Sequence, residues 1–359
     1  MKNLKSIKLS CIRRILLLFL LLFVVIARLF SGVAEFYARD IYPLLSGLLI
    51  RAASIVPFSL TEITVVVFVL CILAYPVCTL LKKGRHAWKH VLVCEVEMLL
   101  WFYVWFYWGW GINYFRYDFY RRSETHFASF DKDEFVGFLS EYTDSLNAAY
   151  RDCFTVSISE AAIEVKNTYS KLPMKWGLLK PIAAINPKKL MVNPLYSKVG
   201  VMGYIGPFYA EMHLNHQLLP EQYPFTYAHE LSHVLGVSSE AEANFWAYTI
   251  CTHSANDNIR YSGYMGILSY VIGNARQVLD REEYTSWLNS IDERILREYS
   301  SYVKYWRALY SPMIGEIQNV LYDWFLKGNQ IHSGIKNYSQ VVRMIISCRK
   351  TDFGLQPEG

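Results

Sequence analysis

The chain has 359 residues, of which 53% are hydrophobic and 19% are charged, with a net charge of +5 and a mean hydropathy of +0.15. This composition excludes a disordered, collagen-like or coiled-coil protein. It also excludes a protein made only of membrane spans, because 36 Lys and Arg and 31 Asp and Glu are too many for such a chain. The apolar excess lies before Tyr114, and the 245 residues that follow are enough for one enzyme domain.

The first apolar segment runs unbroken from Ile15 to Ala27, after five basic residues and no acidic one. Its 13 residues are fewer than the roughly 20 that cross a bilayer as a helix. Two interpretations stay open: a signal peptide with a weak cleavage site at Gly32–Ala34, or a span that continues to Val33. We favour the span, because the basic lead-in is long and Arg28 can extend its charged end to the membrane surface.

Two further segments have the length and hydropathy of membrane spans. Phe58–Leu81 contains a single ionisable residue, Glu62, close to one end. Val91–Tyr114 is rich in Trp and Tyr, which indicates contact with lipid headgroups or with a membrane partner. We therefore predict a membrane anchor over residues 1–114, with spans at about 15–33, 58–81 and 91–114.

The positions of Lys and Arg predict the orientation of the anchor. The N-terminus and the loop Lys82–Lys89 are both basic and contain no acidic residue, so both are expected in the cytoplasm. Residues 115–359 would then form an extracytoplasmic domain. The apolar spans predict the lipid bilayer as a partner. Most of the net positive charge belongs to the cytoplasmic segments, so we expect no binding of nucleic acid.

The domain after the anchor has mainly helical patterns. Apolar residues at helical spacing predict helices over Asp131–Arg151, over Ser159–Leu172 and through most of residues 224–348. The segment Gly200–Asn215 is rich in Gly, aromatic and β-branched residues and predicts one or two short strands. We therefore predict a single domain over residues 115–359 that is mainly α with a small β-sheet.

The pattern His-Glu-x-x-His occurs once, as His229, Glu230 and His233. On a helix the two histidines lie one turn apart on the same face, so both imidazoles can reach one zinc ion. Glu230 would lie beside them, placed to act on a metal-bound water. The competing interpretation is a pair of partly buried histidines on an amphipathic helix, and the residues that follow the pattern favour the metal.

A catalytic zinc ion needs a third protein ligand and one open position. Gly236 suits a left-handed helix C-terminus, and a second helix is predicted to begin near Ser239. If Ser239 is the N-cap, Glu242 completes a capping box and Glu240 is free to reach the metal. Asn244, four residues after Glu240, can hydrogen-bond a ligating His and fix its tautomer. We favour Glu240 as the third ligand and keep Glu242 as the alternative metal ligand.

The spacing of Glu240, Ala243 and Asn244 after His-Glu-x-x-His resembles that of gluzincin-type zinc metallopeptidases. The whole layout is similar to an uncharacterised family of bacterial membrane-anchored proteins, which have three N-terminal spans before the motif. The elements that carry this second resemblance are Gly203–Phe208, Pro224–His233 and Glu240–Phe245.

The resemblance implies a zincin-like domain with zinc-dependent endopeptidase activity, on the periplasmic side of a bacterial inner membrane. The implied zinc ligands are His229, His233 and Glu240. Glu230 would be the general base on the zinc-bound water, and the substrate would be a protein or peptide. The alternatives are a metal-binding envelope scaffold without catalysis and a membrane sensor or assembly factor.

Two features of substrate binding are also implied. Enzymes of this kind bind substrate as an added strand on a sheet edge before the metal helix, and Phe208–Asn215 is expected at that edge. The oxyanion needs a further hydrogen-bond donor, for which Tyr264, His332 and Tyr338 are the candidates. Of these three, we take Tyr338 as the expected donor to the oxyanion.

Overall fold

The computed structural model describes residues 2–127, 131–331, 340–349, 351 and 355, with the backbone alone for residues 2–9. The described part is mainly helical with a small three-stranded sheet, which confirms the predicted fold class at this level. The chain divides into two compact units. Unit 1 comprises Met1–Tyr117, Ala184–Asn186 and Gly206–Glu211, and unit 2 comprises Asp118–Ala183, Pro187–Ile205 and Met212–Gly359.

Unit 1 is built from apolar helices. These are α1 (Lys2–Leu29), α2 (Ser31–Phe36), α3 (Tyr42–Ser54), α4 (Leu60–Lys83) and α5 (Trp88–Gly109), with a π-helical turn at Tyr37–Ile41 and 3-10 turns at Arg85–Ala87 and Gly111–Phe115. Within the described residues, three segments are long and apolar enough to span a membrane: Ser10–Leu29, Leu60–Lys83 and Arg85–Gly109. In the second segment only 6% of the apolar window is buried, so its side chains are available to lipid.

The bounds of these segments differ slightly from the predicted spans. The first ends at Leu29 because Phe30 has an extended backbone, with φ of −127° and ψ of 95°. The third ends at Gly109, because Trp110 leaves the helical conformation and Gly111–Phe115 continue as a 3-10 helix. The assignment of residues 1–114 to an anchor and of 115–359 to an extracytoplasmic domain stays a prediction.

Within unit 1, the short segment Gly206–Glu211 packs on the candidate spans. The Glu211 carboxylate accepts hydrogen bonds from the backbone N–H groups of Leu60 and Thr61, at 3.0 and 2.8 Å, and so stabilises the N-terminus of α4. The indole of Trp105 in α5 donates to the carbonyl oxygen of Phe208 at 3.0 Å. Part of the aromatic surface of the third segment is therefore used inside unit 1.

Unit 2 contains the remaining helices of the described chain. They are α6 (Phe119–Ser123), α7 (Lys132–Ala149), α8 (Ile158–Lys171), α9 (Asn193–Lys198), α10 (Tyr223–Val234), α11 (Glu240–Thr252), α12 (Asp257–Val278), α13 (Arg281–Ser290), α14 (Glu293–Leu309), α15 (Pro312–Gly328) and α16 (Val341–Cys348), with 3-10 turns at Met174–Trp176 and Pro220–Gln222. Helix α10 packs against α8, α11 and α12. Its Tyr227 and Leu231 are fully buried, so α10 is a core helix of the unit.

The sheet consists of β1 (Lys188–Lys189), β2 (Gly203–Gly206) and β3 (Glu211–Leu214), in the order β1-β3-β2. Strand β1 is parallel to β3, with Lys188 opposite His213. Because β3 has a neighbour on each side, the expectation of a free edge at Phe208–Asn215 is wrong. Strand β2 lies on the side of β3 opposite to β1 and is an edge strand of the sheet.

A buried ion pair fixes the start of α11 in unit 2. The Arg122 guanidinium donates to the Glu242 carboxylate, and its side chain is 2% exposed. Arg122 also donates to the Trp176 carbonyl at 2.9 Å, and the Trp246 indole donates to the other Glu242 oxygen at 3.0 Å. Both Glu242 oxygens therefore have partners, which offsets the desolvation of the carboxylate.

Replacing Arg122 with Ala is expected to destabilise the protein strongly, because the Glu242 charge would stay buried without its cation. A loss of about 3–5 kcal/mol is typical of such a change. At this chain length that corresponds to a melting temperature lower by about 5 °C. The measurement is thermal unfolding of the full chain in detergent, followed by tryptophan fluorescence.

The neighbouring variant Arg121→Ala is the matched control, since Arg121 is exposed. Its effect should stay within about 0.5 kcal/mol. Equal melting temperatures for the two variants would contradict the assigned role of Arg122.

Candidate metal centre

Helix α10 ends in a turn that depends on Gly236. Gly236 has a φ of 99°, which confirms its predicted left-handed conformation. The N–H of Val237 donates to Ser232 O at 3.0 Å, and the N–H of Gly236 donates to His233 O at 3.1 Å. These two bonds form a Schellman motif, in which glycine avoids the clash that a Cβ would cause. The chain therefore reverses directly after the two histidines.

Helix α11 begins four residues after Gly236, at Glu240. Ser239 is its N-cap, and the Ser239 hydroxyl accepts from the N–H of Glu242 at 3.4 Å. The cap places Glu240 in the first turn and Asn244 one turn further on the same face. Both side chains thereby lie next to α10.

The side chains of His229, His233 and Glu240 converge on one point. The Nε2 atoms of the two histidines are 3.2 Å apart. The Oε2 atom of Glu240 lies 3.2 Å from His229 Nε2 and 3.4 Å from His233 Nε2. The three side chains are 12%, 6% and 11% exposed, so the cluster is largely buried but reachable.

The outer nitrogen of each imidazole is held by an acceptor. His229 Nδ1 lies 2.8 Å from Asn244 Oδ1, and His233 Nδ1 lies 2.8 Å from the carbonyl oxygen of Val237. Because a carbonyl oxygen can only accept, each Nδ1 carries a proton and each Nε2 is directed into the cluster, where it can bind a second proton or a metal ion. The Val237 carbonyl belongs to the turn after Gly236, so the same turn that ends α10 also orients His233.

These donor atoms fit a metal ion. Zinc bonds of about 2.0–2.1 Å in a tetrahedron separate the ligand atoms by about 3.3–3.4 Å. The three measured separations are 3.2, 3.2 and 3.4 Å. Two imidazole nitrogens and one carboxylate oxygen are also a ligand set that zinc accepts. The His229, His233 and Glu240 group can therefore hold a metal ion.

Glu230 lies beside this group and has an unusual environment. Its side chain is buried, and among the described residues its Oε2 atom has no hydrogen-bond partner. Burial raises the pKa of Glu230 to about 7, while the nearby His229 and His233 lower it. A buried carboxylate oxygen without a partner is costly for folding, which marks Glu230 as a candidate for a chemical role.

The electrostatics of the cluster favour a cation. Burial lowers the pKa of His233, but Glu240, Glu230 and the Val237 carbonyl together raise it to about 9. Burial would raise the pKa of Glu240, but the contacts with His233 and His229 hold it well below its usual range. The carboxylates of Glu230 and Glu240 thus stabilise positive charge at the imidazoles. Either a proton or a metal ion can supply that charge.

The other predicted site residues have separate positions. Asn244 contacts His229, as the sequence suggested. Glu242, the alternative metal ligand, lies in the ion pair with Arg122, and both of its oxygens are engaged there. Tyr264 packs against Tyr142 and Tyr248, with ring centroids 5.7 Å from each. His332 and Tyr338 lie outside the described residues.

Tyr322 contacts the cluster although the sequence analysis did not select it. Its hydroxyl donates to Glu240 Oε1 at 2.6 Å, so both carboxylate oxygens of Glu240 are oriented. Tyr322 lies on α15, 82 residues after Glu240. A sequence pattern that covers only the motif and the helix after it cannot predict a contact between residues 82 positions apart.

Comparison with known proteins identifies the family. Residues 37–346 match the family described as "Protein of unknown function (DUF3810)", so the chain belongs to that family. The matched region includes α4, α5, the three clustered side chains and Glu230. Neither a curated protein nor a solved structure matches the chain.

The full chain purified in detergent and loaded with zinc is expected to retain one zinc ion per molecule. The single variants His229→Ala, His233→Ala and Glu240→Ala should each fall well below that value, because each removes one of three donors. Asn244→Ala should weaken binding roughly 10–100-fold, since it removes only the partner that orients His229. Elemental analysis after dialysis against graded chelator concentrations measures both effects.

His216→Ala is the matched control, because His216 is exposed and is not one of the clustered side chains. Its zinc content should equal that of the wild type. Unchanged zinc in all three donor variants would exclude the cluster as the metal site.

Proposed function

We propose that this protein is a membrane-anchored, zinc-dependent metallopeptidase of the gluzincin type. The observation that carries the proposal is the convergence of His229, His233 and Glu240 at metal-ligand separations, next to the buried carboxylate of Glu230. The first three residues would hold the ion. Glu230 follows His229 directly on α10, so it is fixed beside any ion that the cluster holds.

The chemistry of the proposed site divides between the metal and the chain. A bound zinc ion would supply a Lewis acid that polarises the substrate carbonyl and makes a water molecule more acidic. Glu230 would accept a proton from the attacking water and later donate it to the leaving amine. Asn244 and the Val237 carbonyl would keep the imidazoles in the tautomer that a metal ligand needs.

The environment of Glu230 supports a peptide as the substrate. A Cβ added at Gly203 on strand β2 would lie 2.6 Å from Cγ and 2.8 Å from Oε1 of Glu230. The absence of a side chain at Gly203 therefore lets the edge strand approach the proposed base. An extended peptide that pairs with β2 would pass its backbone next to Glu230, which is the geometry of strand addition.

A metal-binding scaffold without catalysis is the main alternative. A purely structural site needs closed coordination and no general base. The unpartnered oxygen of Glu230 disfavours that alternative, because it costs stability without contributing a contact. A sensor or assembly role, with proteolysis as its output, is compatible with the proposed chemistry.

Glu230→Gln is expected to reduce peptide hydrolysis at least 100-fold while zinc binding stays at one ion per chain. The amide is similar in size to the carboxylate but cannot accept the proton, and general-base catalysis typically contributes 10²- to 10⁴-fold. The assay follows cleavage of a peptide mixture by mass spectrometry, using the full chain in detergent.

Glu282→Gln, at an exposed position of α13, serves as the matched control and should cleave at the wild-type rate. Hydrolysis by the Glu230 variant at the wild-type rate would rule out the proposed mechanism. Wild-type protein that holds zinc but cleaves nothing in the mixture would favour the scaffold alternative.

We further propose that the protein lies in a bacterial inner membrane, with residues 115–359 on the periplasmic side. The basic residues of the N-terminus and of Lys82–Lys89 support this orientation, since such loops stay in the cytoplasm. The proposed partners are the bilayer, a protein or peptide substrate and a membrane protein that contacts the aromatic third span.

Reporter fusions test the orientation. A reporter that is active only in the cytoplasm should be silent when fused after Gly359 and active when inserted at Gly84. A reporter that is active only in the periplasm should show the reverse pattern. Cytoplasmic activity of the fusion after Gly359 would exclude the proposed orientation.

A further inference from the structure

Helix α15 is attached to unit 2 through one of its faces. Leu326 on this face is fully buried. Gly315 lies directly against Tyr310, where a Cβ would come within 2.2 Å of the tyrosine hydroxyl oxygen. Tyr322, also on this face, donates its hydroxyl hydrogen to Glu240 at 2.6 Å. One side of α15 thus faces the rest of unit 2 and contacts Glu240 of the cluster through Tyr322.

The opposite side of α15 is a stripe of exposed apolar residues. Its members lie at helical spacing on one face and are 73%, 61%, 51%, 58% and 69% exposed: Met313, Ile317, Val320, Leu321 and Trp324. At 100° per residue, Tyr322 points roughly opposite to the centre of this stripe. Single exposed apolar residues are ordinary, but a contiguous stripe of five on one helix indicates a binding surface.

One edge of α15 is polar and carries two acidic residues and one basic residue. Glu316 is exposed there, and Asp323 forms an ion pair with Lys327 at 2.6 Å. The charged side chains therefore follow one border of the apolar face, an amphipathic arrangement that lets a helix lie in a membrane surface. The ion pair of Asp323 with Lys327 reduces the repulsion that anionic headgroups would exert on that edge.

If the candidate spans cross a membrane, as proposed above, unit 2 is tethered close to a bilayer. Helix α5, the third of the candidate spans, ends at Gly109, and unit 2 begins nine residues later at Asp118. Even fully extended, nine residues reach only about 30 Å. A unit tethered to a span by so short a link meets lipid at a high effective concentration, so an apolar face on its surface has a bilayer as its nearest apolar phase.

We propose that α15 docks on the surface of the bilayer, with the stripe from Met313 to Trp324 among the lipid headgroups and the first acyl carbons. Around the helix axis, Trp324 lies near the centre of the stripe. Tryptophan is enriched at this depth of membranes. The proposal does not depend on peptidase activity. Because a helix with its side chains is about 10–12 Å wide, docking would hold Glu240 about one helix diameter from the headgroups.

Site-specific photocrosslinking tests this surface. The photoreactive residue p-benzoylphenylalanine replaces Ile317 or Trp324, one at a time, in the full chain reconstituted into nanodiscs of phosphatidylcholine and phosphatidylglycerol. Both positions are largely exposed, so the folded structure should tolerate the probe. After irradiation, mass spectrometry identifies what each probe has captured.

The same probe at Glu316 is the matched control, because Glu316 is exposed on the same helix but lies at its polar edge. We expect phospholipid adducts at both stripe positions, at least fivefold more abundant than at Glu316. Adducts to another segment of the chain or to a second copy would overturn the proposal. Equal lipid capture at all three positions, or no lipid capture at any of them, would also overturn it.

Discussion

The reversal of the chain at Gly236 is the constraint on which the metal centre depends. Two histidines one turn apart can share an ion with a third residue only if that residue returns to the same face of the helix. The left-handed conformation of Gly236 turns the chain within a few residues and starts α11 with Glu240 in its first turn. The turn also supplies the Val237 carbonyl that orients His233, so one backbone feature arranges two of the three donors.

A second constraint holds α11 in that position. The Glu242 carboxylate is paired with Arg122 and hydrogen-bonded by Trp246, in the same helical turn as Glu240. Two acids two residues apart thus have different tasks: Glu242 fixes the helix in the core and Glu240 reaches the histidines. Because an uncompensated buried charge is costly, the Arg122 pair strongly disfavours a rotation of α11 that would exchange the two acids.

The metal centre also contacts two segments of unit 2 that are distant in the sequence. Glu240 receives a hydrogen bond from Tyr322, and Tyr322 belongs to a helix whose other face is apolar and exposed. Movement of α15 would therefore act directly on a residue of the cluster. Gly203 on strand β2 likewise contacts Glu230, so the sheet edge and α15 each touch a different carboxylate of the site.

Local rules were sufficient for much of this arrangement. The spacing of His229 and His233, the helix stop at Gly236 and the cap at Ser239 all follow from interactions over a few residues, and the structure contains each of them. The choice between Glu240 and Glu242 was not local, because it depends on Arg122, 120 residues away. The position of Tyr322 and the middle place of β3 in the sheet likewise depend on contacts between distant segments. The sequence alone determined the apolar segments, the helical patterns and the donor types, whereas tertiary packing decided which acid joins the histidines, since only packing brings Arg122 to Glu242.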